Sequence, residues 1–480
     1  MKKMKKEFYI TTTLPYVNAE PHIGFASEII LADSRARFEK LLGKEVIFNT
    51  GTDEHGLKIW QKARELGVDT QKYVDEYAAK FDDLREMLNL SYTNFIRTTD
   101  KGHEEAAREI WRRVDANGYI YKKKYKIKYC VGCEMEKTDS ELADGYCPFH
   151  PGKELEIIEE ENYFFKFSAF QEKLLKLYKE SPDFVVPQKR FNEIKSFVER
   201  GLEDFSISRL KSKMSWGVPV PGDEDQVMYV WFDALTNYIS TLGWPNNSEN
   251  FEKFWGTIDR PNAIQIAGKD NLRQQSAMWQ AMLLAAELPT SKQIFINGFI
   301  GVDGQKMSKS LGNVISPKEM VEKFGVDGTR YLLLIKGTFG EDNDISWEKM
   351  TARYNADLAN GLGNLTSRVI KLSENLSLKH KENRDIFDVE SIRLVERFDI
   401  DKVLENIWKI VTEDNKYIED TKPWELSKNN EANFKAVMQK LYDDLNLIAG
   451  KLSPFLPETS EKIKKALETK ERIILFERIK

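Results

Sequence analysis

"EFYITTTLPYVNAEPHIGFASEIILADSRARFEKLLGKEVIFNTGT" (residues 7–52) sets three elements in a row. Residues 7–14, rich in β-branched and aromatic side chains, predict a buried strand, and residues 45–52 predict another. Between them Phe25, Ile29, Ala32, Ala36 and Leu41 keep one helical face until Gly43 supplies a natural stop. Strand, helix and strand in this order predict a parallel sheet. The helix opens on Pro-His-Ile-Gly. A glycine at a helix N-terminus lets backbone approach a ligand, and free N–H groups with the helix dipole favour an anion there. His22, beside Gly24, adds a donor for a phosphate.

Farther along the chain, strand-like residues 227–231 and 263–267, a helix near 271–287 and strand-like residues 293–300 resume the pattern. The expected fold class is α/β. A Rossmann-type parallel sheet occupies 1–120 and 226–310, split by an insertion over 121–225. From 346 to 480 the pattern turns helical: Leu358, Leu362, Leu365, Val369, Leu372 and Leu376 step by three or four, and 400–418 and 432–449 do likewise. A chain of 480 residues exceeds one core, so several domains are expected.

No apolar run approaches the ~18 residues of a membrane span. The basic start "MKKMKKEFYI" leads straight into a strand and lacks the ~7–15-residue apolar stretch of a signal peptide. A cytoplasmic protein with no membrane partner is expected. Net charge of −5 gives no global attraction for polyanions, so any nucleic-acid contact must come from local patches. "KKKYKIK" (122–128) is one such patch; it reads equally as a solvated edge strand guarded by lysines.

All three cysteines lie between 130 and 147, which argues against a disulfide framework and for metal in a reducing compartment. Cys130-x2-Cys133-x13-Cys147-x2-His150 offers four ligands suited to tetrahedral Zn²⁺. A full protein set leaves no open position, so one structural zinc per chain is expected; buried, unliganded cysteines are the alternative. "DGQKMSKSLGN" (303–313) sets Lys306, Ser308, Lys309 and Ser310 between Gly304 and Gly312. Such a cationic, donor-rich loop can close on a polyphosphate and stabilise charge that builds during nucleotidyl transfer.

"PHIG" and "KMSKS", in this order on two halves of a split sheet, resemble the signatures of class I aminoacyl-tRNA synthetases. "TLPYVNAEPHIG", "TGTDEHG", "YVWFDALTNY", "GKDNL" and the single Cys-Cys-Cys-His knuckle narrow the resemblance, over essentially the whole chain, to the methionyl-tRNA synthetase family. The resemblance implies that Leu14, Tyr16, Trp231, Ala234, Tyr238, Gln275 and Trp279 line a methionine pocket and that Asp53 holds the substrate ammonium. It implies ATP contacts at His22, Gly24, Gly268, Asp270, Lys306, Ser308 and Lys309, with His22, Lys306 and Lys309 catalytic and Mg²⁺ accompanying ATP. Residues 311–345 then continue the loop into a stem-contact region. Aromatic rings do suit a polarizable thioether, and one carboxylate suits a free amino group. Without the family, Trp231 and Trp279 read as ordinary core.

Asn364 and Arg368, one helical turn apart, share a face, and Trp424 offers a ring on which an unpaired base can stack. By resemblance these three read the anticodon of tRNA(Met); alone, Arg368 reads as a surface charge and Trp424 as core. The implied reaction passes through methionyl-adenylate to tRNA. An insertion of about a hundred residues is too short for an editing barrel, so discrimination rests on a pocket where one methylene is worth only ~1–3 kcal/mol. Two departures stand out. Phe25 occupies the place of the family's second signature histidine, and Gln274 and Gln275 replace its usual Phe-His. They leave a non-catalytic tRNA-binding paralogue, or a class I enzyme for another small amino acid such as cysteine, as rival readings. With no oligonucleotide-binding module after the bundle, a monomer is expected.

Overall fold

The computed structural model describes residues 6–133, 135–137, 141–307, 312–378 and 386–480. The chain divides into two bodies. One comprises Met1–Pro21, Glu45–Asp83 and Tyr92–Asn297; the other comprises His22–Lys44, Leu84–Ser91 and Gly298–Lys480.

The first body is built on a six-stranded sheet in the order Asn94–Arg97, Glu45–Thr52, Glu7–Thr11, Ile264–Gly268, Gln293–Asn297, Val185–Val186. Every pairing in it is parallel. The chain runs outward on one side from Glu7–Thr11 and on the other from Ile264–Gly268 to Gln293–Asn297, while Val185–Val186, earlier in the sequence, takes the far edge; the order reverses between Glu7–Thr11 and Ile264–Gly268. Glu7–Thr11, with four of five residues buried, ends sooner than the sequence predicts. A second, four-stranded sheet carries the insertion: Ile120–Cys130 pairs antiparallel with Glu156–Phe165 from Ile120↔Phe165 onward. Met135–Lys137 covers only Lys128–Cys130 on the other side, so Lys122, Lys123 and Lys124 stand on an open strand flank with exposed side chains.

Two further expected elements differ. The strand expected over 227–231 is Asp223–Met228, and Val230–Ala234 is helical. The amides of Phe232 and Asp233 both turn back to the Tyr229 carbonyl, so burial of Asp233 overrides the β-propensity of "VMYVW". The helix near 271–287 begins as a short 3₁₀ turn, Lys269–Asn271, then a π-turn, Gln274–Met278, before Trp279–Ala285 becomes regular.

In the second body the helix Ile23–Leu41 is buried on nearly every side rather than along one stripe. Asp33, fully buried, meets Arg330 at 2.7 Å and Arg37 at 2.8 Å, while Leu41, expected on the apolar face, is exposed. Burial alone would raise the Asp33 pKa; the Arg330 and Arg37 guanidiniums and Ser91 reverse that and lower it. Arg330 also donates to the carbonyls of Phe455 (2.8 Å) and Leu88 (3.1 Å), so one guanidinium joins three segments. The C-terminal helices Asn364–Ser373, Ile400–Thr421, Glu431–Leu452 and Pro457–Thr469 bury Leu365, Val369, Leu404, Ile407, Leu441 and Leu445 between them. Among the described residues no helix is long and apolar enough to cross a membrane.

Candidate active site, metal centre and anticodon face

Open parallel sheets hold ligands beyond the carboxyl ends of strands where the order reverses. Three neighbouring strands of the first body lead there to residues that the sequence marks as pocket candidates: Glu7–Thr11 runs on to Leu14 and Tyr16, Glu45–Thr52 to Asp53, and Ile264–Gly268 to Asp270. Backbone pairing carries past the strand ends. Tyr16 and Asp53 form a parallel bridge, the Asp53 amide donates to Pro15 O (3.0 Å) and the Val17 amide donates to Asp53 O (3.3 Å). Asp53 is thereby fixed beside Tyr16 at 2% exposure. The Tyr16 ring meets Trp231 edge-on with centroids 6.4 Å apart, and Tyr238 meets Trp279 at 5.9 Å. Ala234, Tyr238 and Trp279 are buried. Trp279 also packs on Trp255 at 6.1 Å, as the core reading of that residue expects. The indole nitrogens of Trp231 and Trp279 are buried with no hydrogen-bond partner among the described residues.

Gln275 joins a network of side-chain amides. Its amide donates to the Tyr238 hydroxyl, and its carbonyl oxygen accepts from Gln265 Nε2 at 3.0 Å. Gln280 Nε2 donates to the Gln275 backbone carbonyl (2.9 Å) across the π-turn and to Ser291 Oγ (3.1 Å), and Ser291 Oγ donates to Gln265 Oε1 (2.5 Å). A neutral, non-titrating group therefore stands where the resemblance leads one to expect histidine.

A second buried network escaped the sequence reading. Asp233, 0% exposed, receives His55 Nδ1 on Oδ2 at 2.6 Å and His103 Nε2 on Oδ1 at 2.8 Å. Glu54 accepts both Arg97 Nε (2.6 Å) and Nη2 (2.9 Å). The hint was there: the chain has only five histidines, and His55 stands inside "TGTDEHG".

Of the residues expected to meet ATP, Gly268 and Asp270 belong to the first body, and the Asp270 side chain is exposed. His22 and Gly24 belong to the second. His22 caps the helix Ile23–Leu41, and its Nδ1 accepts the Gly24 amide at 3.0 Å. With Nδ1 an acceptor, the neutral ring carries its proton on Nε2 and presents a donor. Gly24 also answers a local need: a Cβ there would stand 2.7 Å from His22 Cε1. The Ile23 amide donates to Ile315 O, so two of the first helical amides are already engaged. Phe25 is half-buried in the first turn. Lys306 ends the hairpin Ile300–Val302 with Gln305–Lys306, whose turn at Asp303 and Gly304 has both φ angles positive, the geometry of a tight type I′ turn. Ser308 and Lys309 lie outside the described residues.

Cys130, Cys133, Cys147 and His150 converge, with all four ligand atoms within 4.8 Å of one another. Cys133 Sγ stands 3.4 Å from Cys147 Sγ and 3.3 Å from His150 Nδ1; Cys130 and Cys147 stand 3.7 and 3.9 Å from that nitrogen. Tetrahedral zinc bonds imply ligand–ligand edges of roughly 3.6–3.8 Å, so the set fits. The sulfurs are too far apart for a disulfide. Gly132 is required by close packing, since a Cβ there would lie 2.5 Å from the His150 ring. Its carbonyl accepts Lys58 Nζ at 3.1 Å, and Glu141 pairs with Arg273 at 2.8 Å, anchoring the knuckle to the rest of its body.

On the helical bundle, Asn364 and Arg368 line a groove of about 360 Å³ with Asn360, Trp408, Asn415 and Glu419. Arg368 Nη1 pairs with Glu419 Oε1 at 2.7 Å, and its guanidinium lies 5.8 Å from the Trp424 ring centroid. Trp424 is 39% exposed, which excludes the core reading of that residue.

The family model described as tRNA synthetases class I (M) matches residues 8–157 and 149–370, and the anticodon binding domain of methionyl tRNA ligase matches 370–476. The chain is 41% identical to the methionine–tRNA ligase of Caldanaerobacter subterraneus over 99% of its length and 76% of that protein. It is 40% identical to the methionine–tRNA ligase of Brucella suis, covering 96% of this chain and 91% of the relative. The structure of Mycobacterium tuberculosis methionyl-tRNA synthetase in complex with methionyl-adenylate superimposes with a TM-score of 0.88 at 39% identity, covering 96% of this chain and 93% of that one.

Proposed function

The chain belongs to the methionyl-tRNA synthetase family, and from that premise we propose how its residues divide the reaction. The activity is ATP-dependent attachment of L-methionine to tRNA. The methionine carboxylate attacks the α-phosphorus of ATP, giving methionyl-adenylate and pyrophosphate; the terminal adenosine of tRNA(Met) then takes the methionyl group. No covalent enzyme intermediate is needed, and catalysis is positioning plus stabilisation of developing phosphate charge.

The observation that carries the residue assignment is the Tyr16–Asp53 bridge at the reversal of the sheet, with the Trp231 ring against Tyr16. Asp53 takes the ammonium, while Leu14, Tyr16, Trp231, Ala234, Tyr238, Gln275 and Trp279 surround the thioether. Gly268 and Asp270 meet the nucleoside, Asp270 through its exposed carboxylate on the ribose. His22 Nε2, Lys306 and Lys309 stabilise the phosphates, with Gly24 and Ser308 beside them. Because two early helical amides already have partners, the share of phosphate binding left to His22 and the lysines is larger than the bare motif implies.

Zn²⁺ at Cys130, Cys133, Cys147 and His150 is structural, since four protein ligands leave no position for substrate. Mg²⁺ accompanies ATP, as hard phosphate oxygens favour it. Asn364, Arg368 and Trp424 contact the anticodon. Free thiols gathered in one metal site support a reducing, cytoplasmic setting. A monomer is the expected assembly, to be checked by light scattering.

ATP–pyrophosphate exchange against a panel of amino acids tests the reading. Exchange with methionine alone is expected. Exchange with cysteine in its place, or none at all, would overturn it in favour of a different class I specificity or a non-catalytic paralogue.

A further inference from the structure

Two short segments of the first body each carry assigned pocket residues around one buried ionisable group. Asp53 lies two residues before His55, and Asp233 lies between Trp231 and Ala234. The His55–Asp233 contact at 2.6 Å joins these segments across 178 residues of sequence. His103, on the helix Lys101–Ala116, takes the other carboxylate oxygen at 2.8 Å and has Ser240 Oγ 3.0 Å from its second nitrogen. Glu54, between Asp53 and His55, is clamped by Arg97, Thr52 (2.6 Å) and Thr99 (2.5 Å), and its backbone carbonyl accepts Trp216 Nε1 at 2.7 Å. An apolar contact would join the segments without the desolvation cost of a buried carboxylate. What the ionic contact adds is fixed direction at both ends.

We propose that Asp233, with His55 and His103, forms a positioning cluster that holds the ammonium-binding Asp53 in register with Trp231 and Ala234 of the thioether pocket. The inference rests on the pocket assignment given above. Around His55 stand Asp233 from the helix Val230–Ala234, His103 and Glu104 from the helix Lys101–Ala116, Glu54 on its own segment with Arg97 bound to it, and the Trp216 ring at 5.6 Å. Burial opposes the imidazolium charge, but the Asp233 carboxylate, with smaller help from Glu104 and Glu54, raises the His55 pKa above its ordinary value. The ionic form of the contact therefore persists to higher pH than a free imidazole would allow and weakens as pH rises through that raised value.

The test is pyrophosphate exchange with Asp233→Asn, His55→Asn and Asp53→Asn, measuring KM for methionine and for ATP across pH. Asp233→Asn is expected to raise the methionine KM by about 10- to 100-fold while leaving the ATP KM little changed. His55→Asn, whose amide nitrogen stands near the place of imidazole Nδ1, keeps a neutral contact; a smaller rise is expected, with loss of the alkaline fall in kcat/KM for methionine. If Asp53→Asn raises the methionine KM but Asp233→Asn and His55→Asn leave it and the pH profile as in the parent, the cluster is not a positioning device. Equal rises in both KM values would also overturn it, as the mark of a general structural role. If Asp233→Asn does not fold, His55→Asn alone decides on the same criteria. If Asp53→Asn leaves the methionine KM unchanged, it is the pocket assignment that fails.

Discussion

The proposed amino-acid pocket and the proposed anticodon face use the same kinds of group, an aromatic ring beside an acidic or basic side chain, in opposite settings. Asp53 is 2% exposed and Trp279 is 0% exposed, whereas Trp424 is 39% exposed and the Glu419 side chain 63%. A charge contact inside a desolvated pocket is strong because the unmade contact leaves a buried charge alone. On an exposed groove, water and salt compete, and a stacked base supplies more than an ion pair does. On the proposed assignment the burial contrast ranks the two sites: few, large, salt-insensitive contributions are expected for the small substrate, and many modest, salt-sensitive ones for the tRNA.

Asp53→Asn should give the largest effect. Truncating one partner of a buried charge pair costs about 2–5 kcal/mol, which predicts a fall of at least tens-fold in kcat/KM for methionine in pyrophosphate exchange. Raising salt should not reproduce that loss. A drop of only a few-fold would break the contrast, since Asp53 would then behave like a surface charge.

Trp424→Ala comes next. Loss of one base–aromatic stack is worth about 1–3 kcal/mol, so tRNA charging should fall about 5- to 150-fold in kcat/KM while pyrophosphate exchange stays unchanged. Equal loss in both assays would make Trp424 a structural residue and erase the distinction between the two sites.

A third effect is confined to the buried site. His55 is raised above its ordinary pKa, so its contribution to stability is full below about pH 6.5 and is lost as pH rises through the raised value. Asp233 is the opposite case. Burial pushes its pKa up, but His55 and His103 outweigh burial and hold it at about 2. Its share is full above its ordinary value of about 4 and is lost as pH falls through the depressed one. The contribution of this pair to the unfolding temperature should therefore be greatest between roughly pH 4 and 6.5 and decline on the alkaline side, and Asp233→Asn should remove that part of the decline. An alkaline limb that persists in the variant would detach it from this pair.

What the sequence revealed, and what it hid, follows distance along the chain. The four candidate metal ligands lie within 21 residues, so spacing alone exposed them. Asp53 was marked by a motif at a strand end. His55 and Asp233, 178 residues apart, carried no spacing signal, because only the fold brings them together. Local propensity misread "VMYVW" as a strand running to Trp231, since it cannot see the burial of Asp233. Helical periodicity likewise put Leu41 inside and gave no sign that Asp33 would be the buried residue, because the stabilising partner is Arg330, far along the chain. Gly24 was read as room for a ligand; that its hydrogen also leaves space for the His22 ring could be seen only in the fold.

The smallest expected effect probes the exposed end of the contrast. In the free protein Glu419 sits 2.7 Å from Arg368, whose guanidinium also faces the Trp424 ring. A base entering this groove must share Arg368 with that carboxylate or displace it. Glu419→Gln keeps the side-chain shape and an acceptor oxygen while removing the charge that attracts Arg368 and repels phosphate. Exposed pairs of this kind are worth about 0–1 kcal/mol, so charging of tRNA should change by no more than about fivefold, and the difference should shrink as salt rises. A loss as large as that of Trp424→Ala, undiminished in high salt, would show that Glu419 and Arg368 act as a desolvated pair once tRNA covers them. The anticodon face would then follow the energetics of the amino-acid pocket, and the burial contrast seen in the free protein would not survive binding.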